Sequence, residues 1–205
     1  GPAPEQPYHA NLAHYNWHWF WDTGNGDTGN QGVHEMDVAR WAIKGATLPK
    51  RIFSIGGRYI PGEKDQGETP NMQVSVYDYG ETILLFETRG LVGKGNALDR
   101  NVSNEFYTSE GVIKGWKFYP KSGGEAVPVE GEEPTVTAGG AFGSFINAVR
   151  SRKPEDINCD AAAGHYSSAL CHLGNISYRL GQESSFDTKS DAFADNDTVG
   201  DSIEM

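Results

Sequence analysis

The chain has 205 residues, of which 37% are hydrophobic and 22% charged, and a formal net charge of −11. That is an acidic, globular composition with room for one sizeable core. The charge excludes nucleic acid and anionic membrane surfaces as main partners, because both are recognised by basic patches.

No apolar run approaches the roughly 18 residues that span a bilayer. No basic-then-apolar signal segment opens the chain, so a cytoplasmic or periplasmic location is expected. Cys159 and Cys171 sit in no CxxC pattern and read as reduced thiols rather than as a disulfide framework.

Residues 1–29 form a loop-rich entry: prolines first, then "YNWHWFWD", then a run of glycines. Gly29 or Asn30 is placed to cap a helix running to about Ile43, with Val33, Met36, Val38 and Trp41 as its apolar residues. Lys44-Gly45 is a helix stop. "KRIFSIGGRYI" reads as a strand, with a bulge or bend at Gly56-Gly57. "NMQVSVYDY" alternates Met72, Val74 and Val76 against Gln73, Ser75 and Tyr77. "ETILLFETRG" follows a Gly80 turn, which predicts a hairpin. Its "ILLF" is apolar on both faces, the pattern of a strand covered on both sides.

"NEFYTSEGVIKGWKFYP" predicts another hairpin turning at Glu110-Gly111. Residues 120–138 read as a loop with a short strand at Ala126–Val129. Phe142, Phe145, Ile146 and Val149 fall at helical spacing and predict a core-facing stripe. A long helix over 160–181 carries Ala169, Leu170, Leu173, Ile176 and Leu180, and 186–205 is a polar tail. The sum is an α+β fold, an open, mostly antiparallel sheet with helices on one face. No GxGxxG follows a strand and opens a helix, so the chain carries no phosphate cradle of its own.

The glycine-to-helix junction is the candidate for chemistry. Four residues advance a helix by about 400° and seven by about 700°, so Asn30, His34 and Asp37 fall within roughly 60° of one another. His34 can exchange a proton near neutral pH. A carboxylate one turn away fixes its tautomer, an amide one turn the other way holds a hydroxyl, and the glycines let backbone approach a ligand. The same spacing also describes a capped helix with solvated neighbours. No HExxH or fourth ligand supports zinc.

Trp17, His18, Trp19 and Trp21 supply aromatic faces and a polar edge suited to a sugar ring, although dense aromatics also build interfaces. Asp27 in the glycine loop and His165 on the last helix complete the candidate substrate-binding set, with His172 seven residues further on.

"GNGDTGNQGVHEMDVARW" resembles the second-domain signature of the glucose–fructose oxidoreductase / inositol dehydrogenase family (Gfo/Idh/MocA). "YNWHWFWDTGNG" and "FINAVRSRKPEDINCDAAAGHYSSALCHLGNISYRLG" are similar to its branch common in Bacteroidetes and Planctomycetes. The resemblance implies that all of 1–205 is one substrate-binding and oligomerisation domain. A separate Rossmann domain, with a lysine in an E-K-P motif, would bind NAD or NADP.

The family motif D-x-x-x-H-x-x-D puts His34 on the presumed proton acceptor and Asp37 on the following acid, while Asn30 replaces the aspartate. An amide cannot take that proton, but it can hydrogen-bond a sugar hydroxyl. The implied activity is hydride transfer from a sugar or polyol, with the chain alone inactive. The implied partners are a small carbohydrate, the chain's own Rossmann domain and further copies of itself. An NAD-dependent glycosidase or keto-sugar lyase of the same fold, or a non-catalytic assembly module, are the alternatives.

Overall fold

The computed structural model describes residues 3–8, 10, 12–59, 65–90, 102–129 and 139–181, so the tail expected at 186–205 lies outside the described residues. A 3₁₀ turn, Asn16–Trp19, leads into two consecutive helices, α1 (Gly26–Asn30) and α2 (Gly32–Trp41). Strands β1 (Arg51–Gly57), β2 (Met72–Asp78) and β3 (Ile83–Arg89) form one antiparallel sheet in the order β1-β2-β3. Strands β4 (Glu105–Tyr107), β5 (Gly111–Lys114), β6 (Lys117–Pro120) and β7 (Val127–Pro128) form a second, also in sequence order. Helices α3 (Gly140–Ser151) and α4 (Ala161–Gly181) follow, and α2 and α4 pack on one face of the first sheet.

The fold is the expected α+β, antiparallel class. Among the described residues the strands are divided between two sheets rather than one, since β3 pairs there with β2 alone and the three-residue β4 with β5 alone. No helix among the described residues is long and apolar enough to cross a membrane.

The β2–β3 hairpin turns where predicted: Asp78 Oδ1 accepts the Gly80 amide at 2.7 Å, and Gly80 takes φ +99°. An Asx turn and a left-handed glycine are how such reversals are made. Gly56 and Gly57 make no bulge, since the β1–β2 register runs unbroken through Gly56↔Gln73 and Gly57↔Met72. The glycine serves close approach instead, because a Cβ on Gly56 would lie 2.8 Å from Gln73 Cα.

The first sheet is built inside out. Cross-strand rows Ile52–Tyr77–Leu84, Ser54–Ser75–Phe86 and Gly56–Gln73–Thr88 face the helices. Tyr77, Gln73, Ser75 and Thr88 are buried there, so the alternation read in β2 is real but the buried side is the polar one. Burying polar groups is tolerated only when they are hydrogen-bonded, and these are. Thr28 Oγ1 donates to Gln73 Oε1 at 3.0 Å. Gln73 Nε2 donates to Ser75 Oγ at 3.2 Å and to the Gly174 carbonyl at 3.4 Å. Ser54 Oγ donates to Ser75 Oγ at 2.6 Å, and Tyr77 Oη to the Leu170 carbonyl at 3.0 Å.

Met36, Leu84, Leu170 and Cys171 complete a small core around Tyr77. Gly174 lets α4 sit this close, since a Cβ there would run into the Tyr77 hydroxyl.

The opposite face carries Phe53, Ile55, Ile83 and Leu85, all more than half exposed, so "ILLF" is covered on one side only. The stripe expected to face the core from α3 is likewise outward: Phe142 is 87% exposed, and Phe145, Ile146 and Val149 are exposed too. What α3 buries is Ser144, whose Oγ accepts the Asn158 amide at 3.1 Å, so a hydrogen bond rather than the apolar stripe sets the helix's orientation. On α4, Leu170 is buried, whereas Ile176 and Leu180 point outward. The core-facing positions there include Ser167, Gly174, Asn175 and Tyr178, which an apolar pattern does not reveal.

Candidate functional site

The glycine-rich run folds into α1 and passes directly into α2 through Gln31, itself in helical conformation (φ −79°, ψ −37°). Asn30 is therefore the last residue of α1 rather than a cap, and neither helix start carries a side-chain cap hydrogen bond. The glycines approach the protein's own core, not an open site. Gly26 takes φ +70° against Thr69, and a Cβ on Gly32 would fall 2.7 Å from the Phe86 ring. That packing sets α2 on the edge of the sheet.

On α2, His34 is exposed, and its backbone amide donates to the Gln31 carbonyl at 3.1 Å. Among the described residues its imidazole has no hydrogen-bond partner. Asp37 is held by α4: its Oδ1 accepts Ser167 Oγ at 2.6 Å and lies 3.6 Å from Arg40 Nη1. Arg40 donates in turn to Ser167 Oγ at 2.7 Å, to the Ala163 carbonyl at 3.1 Å and to the Ala46 carbonyl at 2.9 Å. Its guanidinium lies 5.6 Å from the Tyr166 ring centroid. Asp37, Arg40 and Ser167 thus clamp α2 to α4. Arg40 could be suspected from its position three residues after Asp37, but Ser167 lies 130 residues away and leaves no local signal.

The aromatic run folds around His18 instead of opening outward. His18 is 2% exposed, its Nδ1–H donates to the Tyr15 carbonyl at 2.8 Å, and its Nε2 lies 3.7 Å from Asp27 Oδ1. Tyr15, Trp17 and Trp19 surround the ring at 4.9, 5.8 and 4.6 Å between centroids. Arg58 stacks on Trp19 at 4.9 Å and Arg179 on Trp21 at 5.1 Å, which leaves Tyr15 and Trp17 as exposed rings of the run. The structure therefore brings His18 and Asp27 together, and Asp37 to Arg40 and Ser167. His165 is exposed beside Tyr166, their rings 5.3 Å apart, and His172 is exposed as well. Among the described residues no three His, Cys, Asp or Glu side chains cluster as metal ligands.

A cleft of about 290 Å³ opens on the other flank of α2, between it and the second sheet. Glu35, Val38, Asn104, Phe106, Ile113 and Trp116 contribute to its lining. Asn104 Nδ2 donates to Glu35 Oε2 at 2.7 Å. Helical phase sets His34 between this cleft and the Asp37 clamp, since Val38 is one turn ahead and Asp37 three residues on.

No family model matches the sequence, and no curated protein matches it. Among solved structures, the WlbA dehydrogenase from Bordetella pertussis, in complex with NADH and UDP-GlcNAcA, is similar in fold. The TM-score is 0.53 at 16% identity, over 80% of this chain and 46% of that one. The chain thus matches less than half the length of that dehydrogenase.

Proposed function

We propose that the chain is the substrate-binding and oligomerisation domain, spanning 1–205, of an NAD(P)-dependent oxidoreductase of the Gfo/Idh/MocA family that acts on a sugar or polyol. The observation that carries this reading is His34: an exposed imidazole with no side-chain partner among the described residues, on a helix fixed from behind by the Asp37–Arg40–Ser167 clamp. The fold likeness to a dehydrogenase solved with NADH and UDP-GlcNAcA bound supports it at the level of architecture.

The described residues do not fit a nicotinamide dinucleotide, because both sheets are antiparallel and no glycine-rich turn follows a parallel strand. The cofactor, which accepts hydride from an alcohol carbon, is accordingly assigned to a Rossmann domain outside this chain. What this chain supplies is proton handling and position. Neutral His34 takes the proton of the reacting hydroxyl on a free ring nitrogen, which raises electron density at the oxygen. Asn30, in the turn before it, offers a neutral hydrogen-bond pair to a neighbouring hydroxyl. Asp37 keeps α2 seated while its charge is satisfied by Ser167 and Arg40. Trp17, an exposed ring of the aromatic run, is the surface open to a sugar face, backed by His18 and, through it, Trp19 and Asp27, while Trp21 and His165 are held elsewhere along α4.

The outward sheet face, with Phe53, Ile55, Ile83 and Leu85, is assigned to contact with a second copy.

In the full-length protein, His34→Ala is expected to lower kcat on the order of 10²-fold or more without loss of folding. An unchanged kcat would leave the domain an assembly module with no part in the chemistry.

A further inference from the structure

The cleft beside α2 holds a combination of features that the His34 reading does not use. Its rim is the two-residue turn Gly115–Trp116, which joins the paired residues Lys114 and Lys117. Both central residues are left-handed, Gly115 at φ +55° and Trp116 at φ +59°. Glycine and asparagine adopt that conformation readily, whereas a bulky residue is strained in it by about 1–3 kcal/mol. Burial does not offset the strain, because Trp116 is 66% exposed. The turn therefore spends stability to hold an indole at the mouth of a cavity.

The lining below is mixed in a specific way. Val38, Phe106 and Ile113 are apolar walls, and Glu35, Ser103 and Asn104 are the polar members. A carboxylate has about four acceptor positions and a primary amide two N–H donors and a carbonyl. Glu35 uses two of its positions, on Asn104 at 2.7 Å and on Gln31 at 3.4 Å. Asn104 keeps one N–H and its Oδ1 without a partner among the described residues. Donor and acceptor capacity thus lie side by side against aromatic and aliphatic surface.

Ligand chemistries can be separated on that lining. An anion meets Glu35 and no Lys or Arg among the lining residues. A hydrocarbon strands the Glu35–Asn104 pair without water. A cation satisfies Glu35 but leaves the amide idle. A neutral pyranose matches all of it, with hydroxyl edges on Glu35 and Asn104 and a C–H face on Trp116. The volume sits at the lower end of small-ligand pockets, which is room for about one ring. Val38, in the lining, is one helical turn from His34, so a ring here neighbours the reacting one.

We infer that this cleft is a subsite for a neutral sugar ring, so that the substrate handled at His34 is a glycoside of at least two rings rather than a free monosaccharide. The inference rests on the dehydrogenase reading for the site it adjoins, and the two are separable by experiment. Calorimetric titration of the full-length protein would use cellobiose, maltose and lactose against glucose and galactose. At least one disaccharide is expected to bind about 10-fold more tightly than its component sugars. Trp116→Ala should erase that gap and Glu35→Gln should narrow it, with folding checked by circular dichroism. Equal affinities, no measurable affinity for any of the five sugars, or a gap that survives Trp116→Ala overturns the subsite. Turnover of His34→Ala then sorts the two ideas: lost turnover with no affinity gap keeps the dehydrogenase and removes the subsite. A gap sensitive to Trp116 with turnover intact does the reverse.

Discussion

Two thiols, twelve positions apart in the sequence, show how strongly surroundings decide chemistry at the residue scale. Cys159 is exposed, while Cys171 is sealed in the core beside Leu170 and Tyr77. Burial raises the Cys171 thiol from an ordinary 9.0 to about 12, because the thiolate cannot be solvated there. At pH 8 a thiol reagent should therefore label one cysteine per native chain and both in denaturant, and rapid labelling of both without denaturant would contradict the packing. The linkage follows in sign. An acid whose folded value lies above its unfolded one retains its proton longer when folded, so stability is lost as pH rises from about 9 toward 12. Denaturant titrations across that range would read it, on top of any other groups that titrate there. The same contrast explains the histidines. His18 and His34 look alike in the sequence, yet one is enclosed by three aromatic rings and the other is exposed on α2.

At the scale of elements, the contact between α4 and the first sheet is a close one, and it passes through a residue with no side chain. Gly174→Ala is expected to destabilise the fold by about 1–3 kcal/mol, since the added methyl must displace the Tyr77 hydroxyl from a well-packed interface. Chemical denaturation would measure it, and a change within a few tenths would mean that α4 shifts without cost. This interface also marks how far the sequence could be read. The three strands of the first sheet, the Gly80 turn, the final helix and the overall class are legible, because period and turn chemistry are local signals, whereas the stretch expected as one hairpin turning at Glu110-Gly111 reverses a second time at Gly115–Trp116 and makes three strands. Which face of β2 is buried is not. Alternation fixes two unlike faces but not their direction, and here Gln73, Ser75 and Tyr77 find hydrogen-bond partners on α1, α4 and β1 that lie far away in the chain. The apolar stripe of α3 misleads in the same way, because Ser144 anchors the helix through a hydrogen bond that no periodicity encodes. At the site, His34 and Asp37 are visible by spacing. Ser167, Glu35–Asn104 and the Trp116 rim are assembled by the fold from positions up to 130 residues apart.

For the whole molecule, the consequence of the inverted sheet is social. A face with Phe53, Ile55, Ile83 and Leu85 exposed is unusual for a protein that stays single. Leu85→Asp, at the β3 end of the row Phe53–Val76–Leu85, is expected to convert the proposed oligomer to a monomer by light scattering while leaving the internal polar network in place. An unchanged mass, or a wild-type chain already monomeric at high concentration, would remove the proposed contact. The net charge of −11 works against such association at low ionic strength, so added salt should strengthen it.

The same sheet has a consequence for synthesis. Gln73 awaits a carbonyl 101 residues downstream. At roughly 5–20 residues per second on a ribosome, that wait is about 5–20 seconds. During it the nascent strands have greasy side chains on one surface and unsatisfied amides and hydroxyls on the other. The last helix, which brings the carbonyls that Gln73 and Tyr77 bond, is thus the piece that completes the buried face of the sheet.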